Sequence, residues 1–132
     1  MATDYREEII DHYKHPRNFG ELPGRNRTGK GINAACGDMV EFYLKVKSKK
    51  SKVKSGKLFV EDVRWRGVGC AMSTASASLL SEWIKGKSVK EVEEVDEAVV
   101  EELVGEVNLG RIKCVMLPMS ALKEAVKVDE AK

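Results

Sequence analysis

Met39-Val40-Glu41-Phe42-Tyr43-Leu44-Lys45-Val46-Lys47 alternates without a break. Val40, Phe42, Leu44 and Val46 fall on one side of an extended chain; Glu41, Tyr43, Lys45 and Lys47 fall on the other. Successive strand side chains point to opposite faces, so this stretch predicts a strand with one face buried. Lys57 to Arg66 offers a second apolar set, Leu58, Val60, Val63 and Trp65. Its phase slips between Val60 and Val63, which predicts a bulge near Glu61-Asp62. Ser48 to Gly56 is polar and reads as the turn between them, giving an antiparallel pair.

Helical periodicity surrounds this pair. Asp4 to Lys14 repeats Tyr5, Ile9 and Tyr13, and Pro16 stops the helix. Asn18 to Lys30 holds Gly20, Pro23, Gly24 and Gly29 and reads as a loop. Asn33 to Gly37 is built of small residues and predicts a tight loop. Ala71 to Lys85 carries Met72, Ala75, Leu79 and Trp83 at helical spacing, with Gly86 to close it. Ser88 to Val104 is helical again, with a break near Asp96. Gly105 to Gly110 reads as loop. A last helix follows Cys114, with Pro118 in its first turn. Strands near the N-terminal half and helices after them predict an α+β fold. It has a small antiparallel sheet of about three strands with helices packed on one face.

At 132 residues the chain is most simply one domain, residues 1–132. It has no apolar run long enough to span a bilayer and no apolar leader, so the expected location is cytoplasmic, with no membrane partner. Net charge is only +2, but lysines crowd at 45, 47, 49, 50, 52, 54 and 57. Few aromatics accompany them, and they straddle the expected turn. A solvated turn explains them better than a nucleic-acid surface. His12 and His15 stand three apart with no further metal-ligand partner nearby, so packing or surface roles are preferred.

The chemistry lies in three cysteines, an odd number that does not suit a disulfide scaffold. Cys36 stands in the small-residue loop, two positions before Asp38. Cys70 ends Gly67-Val68-Gly69-Cys70 at the start of a helix. Cys114 follows Lys113 just before the last helix. Any one alone reads as a small buried residue. Together, three thiols and a carboxylate make a four-ligand set of the kind that zinc or an iron–sulfur cluster takes. A helix start favours negative charge and hence a thiolate, the form that binds metal and attacks sulfur.

With these residues in view, the sequence resembles the IscU/NifU-type iron–sulfur cluster scaffold family, including its SufU branch, along nearly the whole chain. The resemblance rests on Tyr13-Lys14-His15-Pro16-Arg17-Asn18, Ala35-Cys36-Gly37-Asp38, the run from Gly67 to Ser76, Ser81 to Ser88, and Lys113-Cys114. It implies that Cys36, Cys70 and Cys114 are cluster ligands and Asp38 the site aspartate. It implies a non-enzymatic scaffold that accepts sulfur from a cysteine desulfurase, builds a [2Fe–2S] cluster and passes it to apo-proteins or carriers. Cys114, beside a cation at a helix start, is the candidate persulfide acceptor. Asp38, a hard oxygen donor among soft sulfurs, would loosen the grip on iron.

Two departures shape the expectation. Lys113 stands where the IscU branch has His, as in the SufU branch. That brings in an alternative, a Zn²⁺-dependent sulfurtransferase relaying persulfide sulfur. Yet the insertion of SufU-like chains between the second and third cysteines is missing. Val107-Asn108-Leu109-Gly110 replaces the IscU chaperone motif, which puts docking to a dedicated Hsp70-type chaperone in doubt. Cluster sharing between chains leaves a homo-oligomer possible.

Overall fold

The computed structural model describes residues 2–33, 37–49, 57–104 and 112–127. In chain order these form α1 (Ala2–Lys14), β1 (Arg27–Asn33), β2 (Asp38–Lys49), β3 (Lys57–Val68), α2 (Ala71–Ile84), α3 (Val89–Glu93), α4 (Glu97–Val104) and α5 (Ile112–Lys127). The three strands make one antiparallel sheet in the order β1-β2-β3. The expected α+β architecture is present.

The alternating stretch is the middle strand. Val40, Phe42, Leu44 and Val46 are all buried, together with Val60, Val63 and Trp65 of β3. Each such side chain contributes about 1.5–3 kcal/mol by leaving water. The bulge is where the phase slip put it. Lys45 pairs with Asp62 and Val46 with Val60, so Glu61 is the extra residue. The insertion lets Val60 and Val63 both reach the core. It turns Glu61 outward to Lys45 and Lys47, at 3.6 and 3.1 Å. The turn residues 50–56, with Lys50, Lys52 and Lys54, lie outside the described residues.

One strand departs from expectation. The predicted loop up to Lys30 ends in strand β1, whose Gly29 and Gly31 look like breakers in sequence. They are glycines because α5 crosses them closely. A Cβ on Gly29 would fall on the Ala121 carbonyl oxygen and the Ala125 nitrogen. At Gly31 a Cβ would meet the Leu117 side chain and carbonyl at 3.1 Å. Arg27, at the other end of β1, donates from Nη1 to the Val126 carbonyl at 2.9 Å. Helix and strand therefore run antiparallel, with Val126 over Arg27 and Leu117 over Gly31.

The first helix is also seated differently from the forecast stripe. Ile9 is buried, but Tyr13 is exposed and His12 takes the inward place at 4% exposure. The reason is the surface that α1 meets. Helix α2 turns buried Ser73, Ser76, Ser78 and Ser81 inward, and His12 Nδ1 lies 2.6 Å from Ser78 Oγ. The Ser78 hydroxyl also accepts from the Arg17 backbone N–H at 2.8 Å. Burial holds the His12 imidazole below its ordinary pKa, with the Arg17 charge adding to the effect.

The break near Asp96 is observed, and the helix on each side of it is capped at its start. Ser88 and Glu91 form a reciprocal capping box at the start of α3. The Asp96 carboxylate accepts from the Val99 N–H at 3.2 Å ahead of α4. Among the described residues, no helix is long and apolar enough to cross a membrane.

Candidate functional site

Asp38 opens β2 directly after Gly37, whose φ of +73° suits glycine. It pairs with Asn33 at the end of the sheet and shares the helix-covered face with Val40. Asp38 is only 4% exposed, and its Oδ2 has no hydrogen-bond partner among the described residues. A carboxylate oxygen buried without a donor is costly, on the order of a few kcal/mol.

The neighbour that approaches it is the β3–α2 junction. β3 ends at Val68, Gly69 follows, and Cys70 is the N-cap of α2, in an extended conformation with φ −74° and ψ 172°. A Cβ on Gly69 would stand 3.0 Å from both Asp38 Cγ and Oδ1, and 2.5 Å from Ser73 Oγ. Glycine is thus what lets the carboxylate lie against the junction. Cys70 is half-buried, and its thiol does not cap the helix backbone. No acidic side chain sits in the first turn of α2. The positive end of the helix dipole faces the Cys70 position, which suits a thiolate.

The third element is α5. The run of α5 along β1 points its N-terminal turn toward the Asn33–Asp38 end of the sheet. Cys114 stands in that turn, because α5 begins at Ile112. This corrects the expected boundary: Cys114 is inside the helix, and Pro118 lies beyond the first turn. Proline tolerates an interior position poorly, but Leu117, Ala121 and Ala125 bury the same helix face against β1. Tertiary packing outweighs the preference of proline for the first turn. The side chain of Cys114 and all of Cys36 lie outside the described residues. Among the described residues, no three His, Cys, Asp or Glu side chains gather in a metal-holding group. His12 is used in packing, and His15 is exposed.

The outer face of the sheet beside this end is apolar. Ile32, Met39 and Val68 are cross-strand neighbours, with Ile32 62% and Val68 68% exposed. Phe19 joins them at the rim of an open groove of about 430 Å³, with Glu41, Tyr43 and Arg66 on its walls. The Tyr43 hydroxyl donates to Glu41 at 2.8 Å. Burial and that bond push its phenol pKa up. Alternation in the sequence placed these side chains on the outer face. Nothing local signalled that the β1 row would join them.

Known proteins resemble this chain over most of its length. The model of the NifU-like N-terminal domain matches residues 4–132. The iron–sulfur cluster assembly scaffold protein IscU of Haemophilus influenzae is 35% identical, over 97% of this chain and 97% of its own. IscU of Escherichia coli K12 is 35% identical, over 92% and 91%. Among solved structures, a putative scaffold protein for the SUF system from Fervidobacterium islandicum AW-1 superposes with a TM-score of 0.66 at 28% identity. It covers 91% of this chain and 94% of that one.

Proposed function

The chain belongs to the NifU-like N-terminal domain family, and from that premise we propose that it is a scaffold on which [2Fe–2S] clusters are assembled and handed on. The observation that carries the reading is the buried, unpartnered Oδ2 of Asp38 beside the N-terminus of α2. A cationic cargo at that point would satisfy an oxygen that the fold leaves without a donor. In this reading Cys36, Cys70, Cys114 and Asp38 hold the cluster, which is substrate and product rather than a resident cofactor. Three thiolates suit iron, and the single hard oxygen makes the grip releasable.

Sulfur arrives from a cysteine desulfurase. The Cys114 thiolate attacks the outer sulfur of the donor's cysteine persulfide. A new S–S bond forms on Cys114, the donor's S–S bond breaks, and the donor cysteine leaves as a thiolate. Reduction of that sulfur to sulfide draws electrons partly from ferrous iron becoming ferric and partly from a separate one-electron donor. The apolar row Ile32–Met39–Val68, beside the Asp38 end of the sheet, is the surface on which the desulfurase docks in this reading.

A second reading has a specific observation behind it. Lys113 in place of histidine leaves no imidazole beside Cys114. The same set around Zn²⁺ would then relay persulfide sulfur as a sulfurtransferase. One experiment separates the two. Protein purified without air, then given ferrous iron, cysteine and a desulfurase, is expected to develop a [2Fe–2S] absorption spectrum with matching acid-labile sulfide. The Asp38→Ala variant is expected to hold that chromophore longer against a chelator. Tightly bound zinc, sulfur uptake and no chromophore would instead establish the sulfurtransferase.

A further inference from the structure

The backbone of Cys114 stands outside the hydrogen-bond ladder of α5 on both sides. The helix begins at Ile112, so the Cys114 N–H falls among the first N–H groups, which have no carbonyl one turn earlier to meet. The Cys114 carbonyl would ordinarily accept from residue 118, four places on. Residue 118 is proline, which offers no N–H and whose ring crowds that same carbonyl. Cys70 differs, because its carbonyl accepts from the Thr74 N–H at 3.1 Å.

The grip of β1 on α5 ends just short of this turn. Arg27 holds the Val126 carbonyl, Gly29 lies against Ala121 and Ala125, and Gly31 lies against Leu117. Leu117 and Pro118 are buried, and Met116 is half-buried. From Leu117 onward the helix is fixed to the sheet. The turn 112–116 joins that fixed part across the bond that Pro118 cannot make.

We infer that Pro118 is a positioning residue for Cys114: by removing one helical hydrogen bond it makes residues 112–116 a short arm that swings about Leu117. The inference rests on Cys114 both accepting sulfur and holding the cluster. Those tasks need different placements. The persulfide arrives on another protein, whereas the cluster lies against Asp38, which is 4% exposed. A rigid turn serves one of them. The arm serves both: it swings out, the Cys114 thiolate takes the outer sulfur as the donor cysteine leaves as a thiolate, and the arm returns to the Asp38 end of the sheet. The swing costs little, because the carbonyl at its centre has no helical bond to break.

Pro118→Ala supplies the missing N–H and tests the arm. Metal-free protein is mixed, in a single turnover, with a desulfurase carrying radiolabelled persulfide sulfur. Transfer to Cys114 should be about tenfold slower in the variant, the effect of one helical hydrogen bond that must open before each transfer. The Kd for the desulfurase should not change. Pro118→Gly also supplies an N–H but loosens the helix, and should recover most of the rate. Amide exchange over residues 112–117, read with no partner present, should slow several-fold in Pro118→Ala and less in Pro118→Gly. A merely structural proline would move the melting temperature and leave the transfer rate alone. Equal exchange in wild type and Pro118→Ala overturns the inference. So does an unchanged rate of transfer to Cys114, a slowing that comes with weaker docking, or a rate in Pro118→Gly as low as in Pro118→Ala. If wild type carries the label on another cysteine while Pro118→Ala still slows exchange, the arm stands and the assignment of Cys114 as acceptor falls.

Discussion

Helices α2 and α5 each carry a cysteine near the N-terminus, and they are built in opposite ways. α2 is uninterrupted from Ala71 to Ile84, and the carbonyl of its N-cap Cys70 already accepts the Thr74 N–H. Its inward side is lined with serines that bond to α1 and to the loop after it. Ser78 meets His12 and the Arg17 N–H, and Ser81 accepts from Asn18 Nδ2 at 3.0 Å. α5 is gripped along its C-terminal half by the glycines of β1, but Pro118 sits inside it. Proline has no N–H to offer the carbonyl four residues back, which belongs to Cys114. One cysteine stands on a continuous helix, and the other on a turn that the helix holds less firmly. The difference teaches that one fold can hold the first turns of two helices unequally through backbone bonding alone.

The largest test strikes the grip on α5. Gly29→Ala drives a methyl into the backbone of Ala121 and Ala125, so strand and helix must part. We expect a loss of about 3 kcal/mol or more. A thermal melt should fall by about 10 °C. An unchanged melting temperature would show that α5 is not seated on β1 as described. Next comes Pro118→Ala, which restores the missing N–H. It is expected to raise stability by about 1 kcal/mol, a gain limited by the greater freedom of the unfolded chain. Amide exchange in the segment 114–118 should slow several-fold, with that of α2 unaltered. Equal exchange in both proteins would erase the contrast between the two helices.

The smallest effect lies on the α2 side. Burial depresses the His12 pKa in the fold, and the charge of Arg17 adds to this against Glu82, Glu8 and Asp11. The unfolded chain then binds the proton more readily than the folded one. Stability contributed by neutral His12 is full above the ordinary value of 6.5. It declines as pH falls below 6.5 and levels off below the folded pKa. Comparing urea melts at pH 7 and pH 5 for wild type and His12→Gln should show a shallower decline in the variant. The difference should be smaller than either change above. Parallel declines would mean that His12 does not titrate with folding.

Much of the fold was legible in order along the chain. The strand at Met39–Lys47, the bulge at Glu61 and the break at Asp96 each follow from a repeat or a cap within a few residues. The fourth-ligand candidate, Asp38, was legible only as a neighbour of Cys36. Its burial was not, because burial comes from Gly69 and Ser73, about thirty residues away in sequence. The start of α5 was misplaced because proline favours the first turn of a helix, whereas packing on β1 holds Pro118 inside it.

The sequence by itself determined the α+β class, the two long strands, the helical segments and the identity of the thiols, because side-chain periodicity and ligand chemistry are properties of neighbouring residues. Only the tertiary structure decided that Gly29 and Gly31 form a strand and that His12 rather than Tyr13 turns inward. It alone left a carboxylate oxygen of Asp38 buried with no hydrogen-bond partner among the described residues. Each of these depends on what another element places opposite: a helix backbone, a serine-lined face, a bare glycine Cα. Distances between segments far apart in the chain are set by packing, which no local pattern records.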